Sequence, residues 1–342
     1  MNQNSEILKK AISGSLKIVE QEREREIISR RFGLTGPKET LEQIGESLSI
    51  TRERVRQLEK AIIIHLQITA EDNNIPELPP AEKILVRNLA EMGRVARLSA
   101  LADKVYDKKT TPEERSGIYF IATFAKGLTV IEENDSYYPA VGIADFGNAD
   151  ELKKKVNELV AVIKKNGKPM TIDELDNVLN YEHPDNIRAV ASISKLIASL
   201  NGLYGLTKWP SVNPRNIRDK IFVILESHKK PMHFSEIAKE IRESDFKRKN
   251  VTVQAIHNEL IKDARFVLIG RGIYALSSWG YKKGTISEII TSILQEAGKP
   301  LTREEIVRQV LKTRRVKETT ILLNLQNKKL FKKIDRNLYT YV

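Results

Sequence analysis

The 342-residue sequence has no cysteine. That excludes disulfides, thiolate metal sites and a cysteine nucleophile, and it suits a reducing cytoplasm. Long apolar runs are also missing: the longest, such as Ala61–Ile64, extend over a few residues, whereas a membrane span takes about 20. The first residues, Met1 to Lys10, are polar and carry no apolar core of a secretory signal. There are only five histidines, His65, His183, His228, His233 and His257, and they show no metal-ligand spacing. Gly270-Arg271-Gly272 reads as a hairpin turn, since no phosphate-binding pattern follows it. Asp135 with Glu151 and Lys153 comes nearest to a nuclease-like set, but Glu151 and the lysines after it read better as the start of an amphipathic helix. No catalytic residue, cofactor, metal or membrane partner is therefore expected, and the chain does not read as an enzyme.

What the sequence has in quantity is charge, unevenly spread. Fifty-seven Lys and Arg face 45 Asp and Glu, a net charge of +12. Residues 71–150 carry −5, the first 210 residues are together near neutral, and residues 211–342 hold +13. Such a block suits a polyanion, most simply nucleic acid; a soluble basic surface is the plain alternative.

The amino-terminal segment reads as helices, with Ile7, Leu8, Ala11, Leu16, Ile18 and Val19 on one face. A charged run from Glu20 to Glu26 leads into Ile27-Ile28 and Arg30-Arg31-Phe32, and Gly33 is placed to end that helix. Thr35-Gly36-Pro37-Lys38 makes a turn. Thr40 and Gln43 have the spacing of a capping box opening a helix through Leu41, Ile44 and Leu48. After Ser49-Ile50, Thr51 caps a further helix from Arg52 to about Leu66. Two short helices with a tight turn between them have the dimensions of a helix-turn-helix. On the second, Val55, Leu58 and Ile62 point inward, and Arg52, Glu53, Arg56 and Gln57 lie on the opposite side. Arginine can fork onto guanine, glutamine can pair with adenine and glutamate can accept from cytosine, so this face suits a major groove. An exposed charged helix without a partner would look the same.

Glu71 to Pro80, acidic and with three prolines, reads as a linker. Beyond it one plan recurs four times. An opening helix ends in a small turn: Gly93-Arg94-Val95, Gly167-Lys168-Pro169-Met170, Lys230-Pro231-Met232 and Gly298-Lys299-Pro300-Leu301. A short helix follows, over Leu98–Val105, Ile172–Leu179, Phe234–Ile241 and Arg303–Val310, then a second over Ile118–Phe124, Ile187–Leu200, Val253–Ile261 and Thr319–Leu325. Each copy closes on a β-like pair with aromatics: Ser136-Tyr137-Tyr138, Leu203–Leu206, Ile273–Leu276 and Leu338–Tyr341. Three helices and a hairpin make a winged helix. The first copy lacks the Lys-Pro turn and follows the plan least. Units of about 60 residues barely fill a core of their own, so neighbouring units are expected to dock. The expected fold is mainly α. A helix-turn-helix at 1–70 and a linker at 71–80 precede winged-helix-like units with short β-hairpin wings at 81–150, 151–210, 211–283 and 284–342.

Residues 22–61 resemble region 4 of sigma-70 type RNA polymerase sigma factors. The likeness rests on Arg-Glu-Arg-Glu-Ile-Ile-Ser-Arg-Arg-Phe-Gly-Leu, on Thr-Leu-Glu-Gln-Ile-Gly and on Thr-Arg-Glu-Arg-Val-Arg-Gln-Leu-Glu. The resemblance implies recognition of a −35 promoter element by Arg52, Glu53, Arg56 and Gln57, with Thr40 near the phosphates and Thr51 at the start of the reading helix. It also implies docking on the polymerase β flap. No stretch resembles region 2, which melts the −10 element in that family, so an accessory role is implied. Residues 214–283 are similar to HARE-type helix-turn-helix domains, such as the amino-terminal domain of the RNA polymerase delta subunit. That likeness rests on Lys-Pro-Met-His-Phe-Ser-Glu-Ile-Ala, Val-Gln-Ala-Ile-His-Asn-Glu-Leu-Ile-Lys-Asp, Arg-Phe-Val-Leu-Ile-Gly-Arg-Gly-Ile-Tyr-Ala-Leu and Trp279-Gly280-Tyr281.

In this third unit Lys247, Arg248 and Lys249 precede the helix expected to read DNA, and Arg271 sits at the wing tip. In the fourth unit Lys312, Arg314, Arg315 and Lys317 hold the equivalent place, and Lys328, Lys329, Lys332 and Lys333 flank the wing. Basic residues there hold phosphates, which positions a protein without specifying sequence. The expected function is a DNA-binding transcription factor that associates with promoter-like duplex DNA and core RNA polymerase, cytoplasmic and on the nucleoid. An adaptor that binds polymerase without reading DNA, and a sequence-neutral chromosome-binding protein, stay open as alternatives.

Overall fold

Side-chain caps punctuate the chain, and its helices begin where they fall. Thr40, Thr111, Asn148, Thr171, Thr285 and Thr302 each close a capping box with a Gln or Glu three residues on. The computed structural model describes residues 3–246, 248, 250–281 and 283–342. Among these are sixteen α-helices and small antiparallel sheets, a mainly α fold. The chain divides into two compact bodies, Met1–Lys208 and Trp209–Val342.

The amino-terminal body opens with α1 (Gln3–Ile18), α2 (Glu22–Phe32), α3 (Leu41–Leu48) and α4 (Arg52–Glu71). A first winged unit follows: α5 (Leu78–Glu91), β1 (Val95–Arg97), α6 (Leu98–Tyr106), α7 (Pro112–Phe124), β2 (Leu128–Ile131) and β3 (Ala140–Ile143). The second contains α8 (Ala149–Asn166), α9 (Ile172–Leu179), α10 (Pro184–Ile193), β4 (Ile197–Leu200) and β5 (Leu203–Leu206). In the first unit β3 lies between β1 and β2; in the second, a single bridge from Met170 to Tyr204 takes the place of the first strand.

Residues 71–80 differ from the expected linker. Ile75 and Leu78 are buried at 1% and 3% exposure in a core that runs from Leu8 to Val141. Pro79 and Pro80 fall in the first turn of α5, where a missing N–H costs nothing. The helix-turn-helix and the first winged unit therefore share one core instead of forming separate domains. The closing strand of the first unit is Ala140–Ile143, and Tyr137 and Tyr138 belong to the wing before it. The helix expected over Ile187–Leu200 stops at Ile193. The Ser194 hydroxyl accepts the Leu196 N–H at 3.1 Å, and Ile197–Leu200 continue as β4.

The carboxy-terminal body repeats the same order twice. The third winged unit comprises α11 (Ile217–His228), β6 (Met232–His233), α12 (Phe234–Glu243), α13 (Val253–Lys262), β7 (Phe266–Gly270) and β8 (Ile273–Leu276). The fourth comprises α14 (Ile286–Ala297), β9 (Leu301–Thr302), α15 (Arg303–Thr313), α16 (Glu318–Leu325), β10 (Phe331–Asp335) and β11 (Leu338–Tyr341). In both sheets the last strand is central. The wing turn of the third unit requires Gly272, at φ +69°. Tyr274, 2% exposed, lies in the core.

Candidate nucleic-acid interface

The reading unit is built on a small core of its own. Ile27 of α2, Ile44 of α3 and Val55 of α4 are fully buried, with Leu41, Leu48, Ile50 and Leu58 packed around them. The turn between α3 and α4 is tight: Ser49 takes φ +54°, Ile50 N–H donates to Gly45 O at 2.9 Å, and a Cβ on Gly45 would meet Ile50 O at 2.7 Å. Glycine is required there. Arg30 of α2 forks onto Glu39, Nε to Oε1 at 3.0 Å and Nη2 to Oε2 at 2.7 Å, and also reaches Glu26 and Ser47. Its guanidinium holds the Glu39 carboxyl below the ordinary glutamate range. Arg31 binds both oxygens of Glu59 on α4, and Arg23 donates to Leu48 O at the end of α3.

Thr40 and Thr51 both act as caps. Thr40 Oγ1 accepts from Gln43 N–H at 3.2 Å, and Thr51 Oγ1 from Arg54 N–H at 3.1 Å. These bonds fix where the two helices start. Arg52, Glu53, Arg56 and Gln57 are all exposed along one side of α4. They are already organised: Glu53 accepts from Arg56 Nε at 2.9 Å and Nη2 at 2.7 Å, and from Gln57 Nε2 at 3.3 Å, while Arg52 lies 3.7 Å from Glu42. The Arg56 bonds hold the Glu53 carboxyl below its usual range. Lys60, one turn after Arg56 and exposed, continues the stripe. The sequence reading left it out, although its i+4 spacing from Arg56 places it there. Further along, Ile62 and Leu66 turn into the large core, so α4 is free in its first half and embedded in its second.

Residues 21–67 match the family model of sigma-70, region 4. Residues 216–279 match the HARE-HTH model, the HTH domain named for ASXL and restriction endonuclease. The region 4 match spans α2 to α4, and the HARE-HTH match spans α11 to β8. Both are helix-turn-helix types that bind DNA, neither is an enzymatic family, and together they support a DNA-binding regulator. Among the described residues no helix is long and apolar enough to cross a membrane.

The four winged units differ in what they leave open. In the first, the third helix α7 is buried on nearly every side through Gly117, Ile118, Phe120, Ile121, Ala122 and Phe124. It packs against α1, α2 and α4, with the Phe120 ring 5.2 Å from that of Phe32. In the second, α10 buries Asn186, Ile187, Ala189, Val190, Ala191 and Ile193, largely against β1 and the first wing. There Arg97 donates to Ser192 O, Tyr138 N–H to Ile193 O at 2.9 Å and Lys195 N–H to Ser136 O at 2.8 Å. By contrast α13 buries only Ile256 and Leu260, and α16 only Ile321 and Leu325. Gln254, Asn258 and Lys262 stand exposed on α13, the first two joined at 3.1 Å.

Arg248 is exposed with φ +54°, and its carbonyl accepts from Lys220 Nζ at 2.8 Å. Lys247 and Lys249 lie outside the described residues. Arg271 is exposed in the wing turn. Arg314 and Arg315 are neighbours with different surroundings. The Arg314 guanidinium donates to Leu268 O and Gly284 O, and burial pulls its pKa down. The Arg315 side chain is exposed. Of the nuclease-like set, Glu151 closes the cap of α8 with Asn148, and Lys153 pairs with Asp150 at 3.1 Å.

Proposed function

We propose that this protein is an accessory regulator of transcription that reads promoter-like duplex DNA with α4 and associates with RNA polymerase. The observation that carries this reading is the single exposed stripe of Arg52, Glu53, Arg56 and Gln57 at the capped start of α4, in a segment matching sigma-70 region 4. Its donors and acceptors suit base edges in a major groove. The match also supports contact with polymerase, with the β flap as the candidate surface. Ile28, Phe32, Ile62 and Leu66 are already covered inside the chain, so a partner of this module uses its outer, polar surface. The third and fourth units, with open third helices and the +13 block, supply phosphate contacts through Arg248, Arg271 and Arg315. Nucleoid association follows from that role.

Arg56→Ala tests the reading. A good bidentate contact is worth about 1–3 kcal/mol of discrimination, so the variant should flatten the preference for a selected duplex over a scrambled one in a competition assay. Unchanged selectivity rejects base reading by α4. Polymerase association is tested separately: the tagged protein should co-purify with core polymerase, yet start no transcripts with it at defined promoters. The adaptor reading is favoured by one observation, the burial of α7 and α10. It applies to the first two winged units, which then serve packing within the chain.

A further inference from the structure

The third and fourth winged units are joined along a β-strand edge. β7 is the outer strand of its sheet, and the chain just before α16 runs beside it. Arg315 N–H donates to Ile269 O at 2.9 Å, and the Arg314 side chain takes Leu268 O. The approach is close enough that a Cβ on Gly270 would sit 2.9 Å from Arg315 O. This seam sets the wing turn with Arg271 beside Arg315, and Lys317 follows at the N-cap of α16.

The charge at this seam has nothing opposing it nearby in the chain. Residues 264–287 contain Arg265, Arg271, Lys282 and Lys283 and no Asp or Glu; residues 306–317 contain Arg308, Lys312, Arg314, Arg315 and Lys317 and again none. Arg271, Arg315 and Lys317 are exposed and form no ion pair with a described residue. The cap position is unusual as well. Helix starts favour a side-chain acceptor and negative charge, and Lys317 supplies neither. The matched HARE-HTH domain ends at residue 279, so half of the seam lies beyond it.

We propose that this seam is a phosphate-backbone site for duplex DNA, made by Arg271 of one winged unit together with Arg315 and Lys317 of the next. The site rests on the DNA-binding function proposed above and adds a surface that neither unit has alone. Backbone phosphates are spaced regularly and carry no base identity, so the site contributes affinity without sequence preference.

The test uses the full-length protein and a labelled duplex, titrated between about 50 and 200 mM salt, where counterion release is readily measured. Each lost phosphate contact removes about 0.9 from the slope of log K against log salt. Arg315→Ala/Lys317→Ala should lower the slope by about 1.8 and Arg271→Ala by about 0.9, equally on selected and scrambled duplexes. Gly270→Ala changes no charge but parts the seam, and it too should lower the slope; circular dichroism checks that it folds. The surface charge variants decide the matter even if it does not. An unchanged slope in Arg315→Ala/Lys317→Ala, with Arg56-dependent selectivity intact, overturns the seam site and leaves the reading function standing. The same variant losing polymerase while keeping its slope assigns the seam to an acidic protein surface, which also overturns the proposal. Wild-type protein that binds no duplex removes both readings together.

Discussion

Arg30 ties α2 to the segment that opens α3, and its partner Glu39 makes that tie depend on pH. Arg30 holds the Glu39 carboxyl low. A depressed folded-state pKa gives stability that is present above the unfolded value and fades as pH falls through the folded one. Glu39→Gln should therefore melt below wild type at neutral pH. The gap should close as pH drops below about 4, through the ordinary glutamate range. Melting curves over a pH series check this, and a gap independent of pH rejects it. Arg314 behaves differently from its neighbour. It satisfies two carbonyls at the seam, and leaving a buried acceptor without a donor costs about 1–3 kcal/mol. Arg314→Ala should lower the melting temperature, whereas Arg315→Ala should alter the salt slope with little change in melting. Two adjacent arginines thus separate holding the fold from holding DNA.

Among the elements, the helix-turn-helix stands on few side chains. Ile44 is fully buried in a core whose other buried members are Ile27 and Val55. Truncating a buried isoleucine costs about 2–5 kcal/mol, so Ile44→Ala should loosen α3 against α4 and abolish selective binding. The large core at Leu8–Val141 should keep most of the helical signal. Circular dichroism with a competition assay tests this, and retained selectivity refutes it. Much of this element was legible in the sequence because its cues are local: Thr40 with Gln43, Thr51 before Arg54, and Gly33 after Phe32 are read within a few residues. The four repeats were legible for the same reason. What escaped was non-local. The prolines of 71–80 masked the burial of Ile75 and Leu78, since composition reports a loop and not what the loop packs against. The occlusion of α7 did leave a trace. Residues 117–124 are apolar or small around most of the helix, the pattern of a buried helix and not of a groove reader. The engagement of Arg314 left none, because its acceptors are carbonyls 30 and 46 residues away.

At the scale of the whole molecule, the two bodies divide the charge sharply. Residues 1–208 carry 30 Lys and Arg against 31 Asp and Glu, and residues 209–342 carry 27 against 14. Salt sensitivity should accordingly belong to the second body and selectivity to the first. A 1–208 fragment keeps its own core, and should still prefer a selected duplex to a scrambled one while losing most of its salt slope. Loss of preference with the slope retained would reverse that assignment. The anchoring of α4 also bears on how recognition proceeds in time. Its second half is held among α5 and α7 before any ligand arrives, through Ile62 and Leu66. The ordering entropy of the reading helix is then spent in folding and not at the encounter. Association need not wait for a helix to form, and the duplex is the partner that must bend to fit. Steps that deform easily, such as TA and CA, would then be favoured at positions no side chain touches.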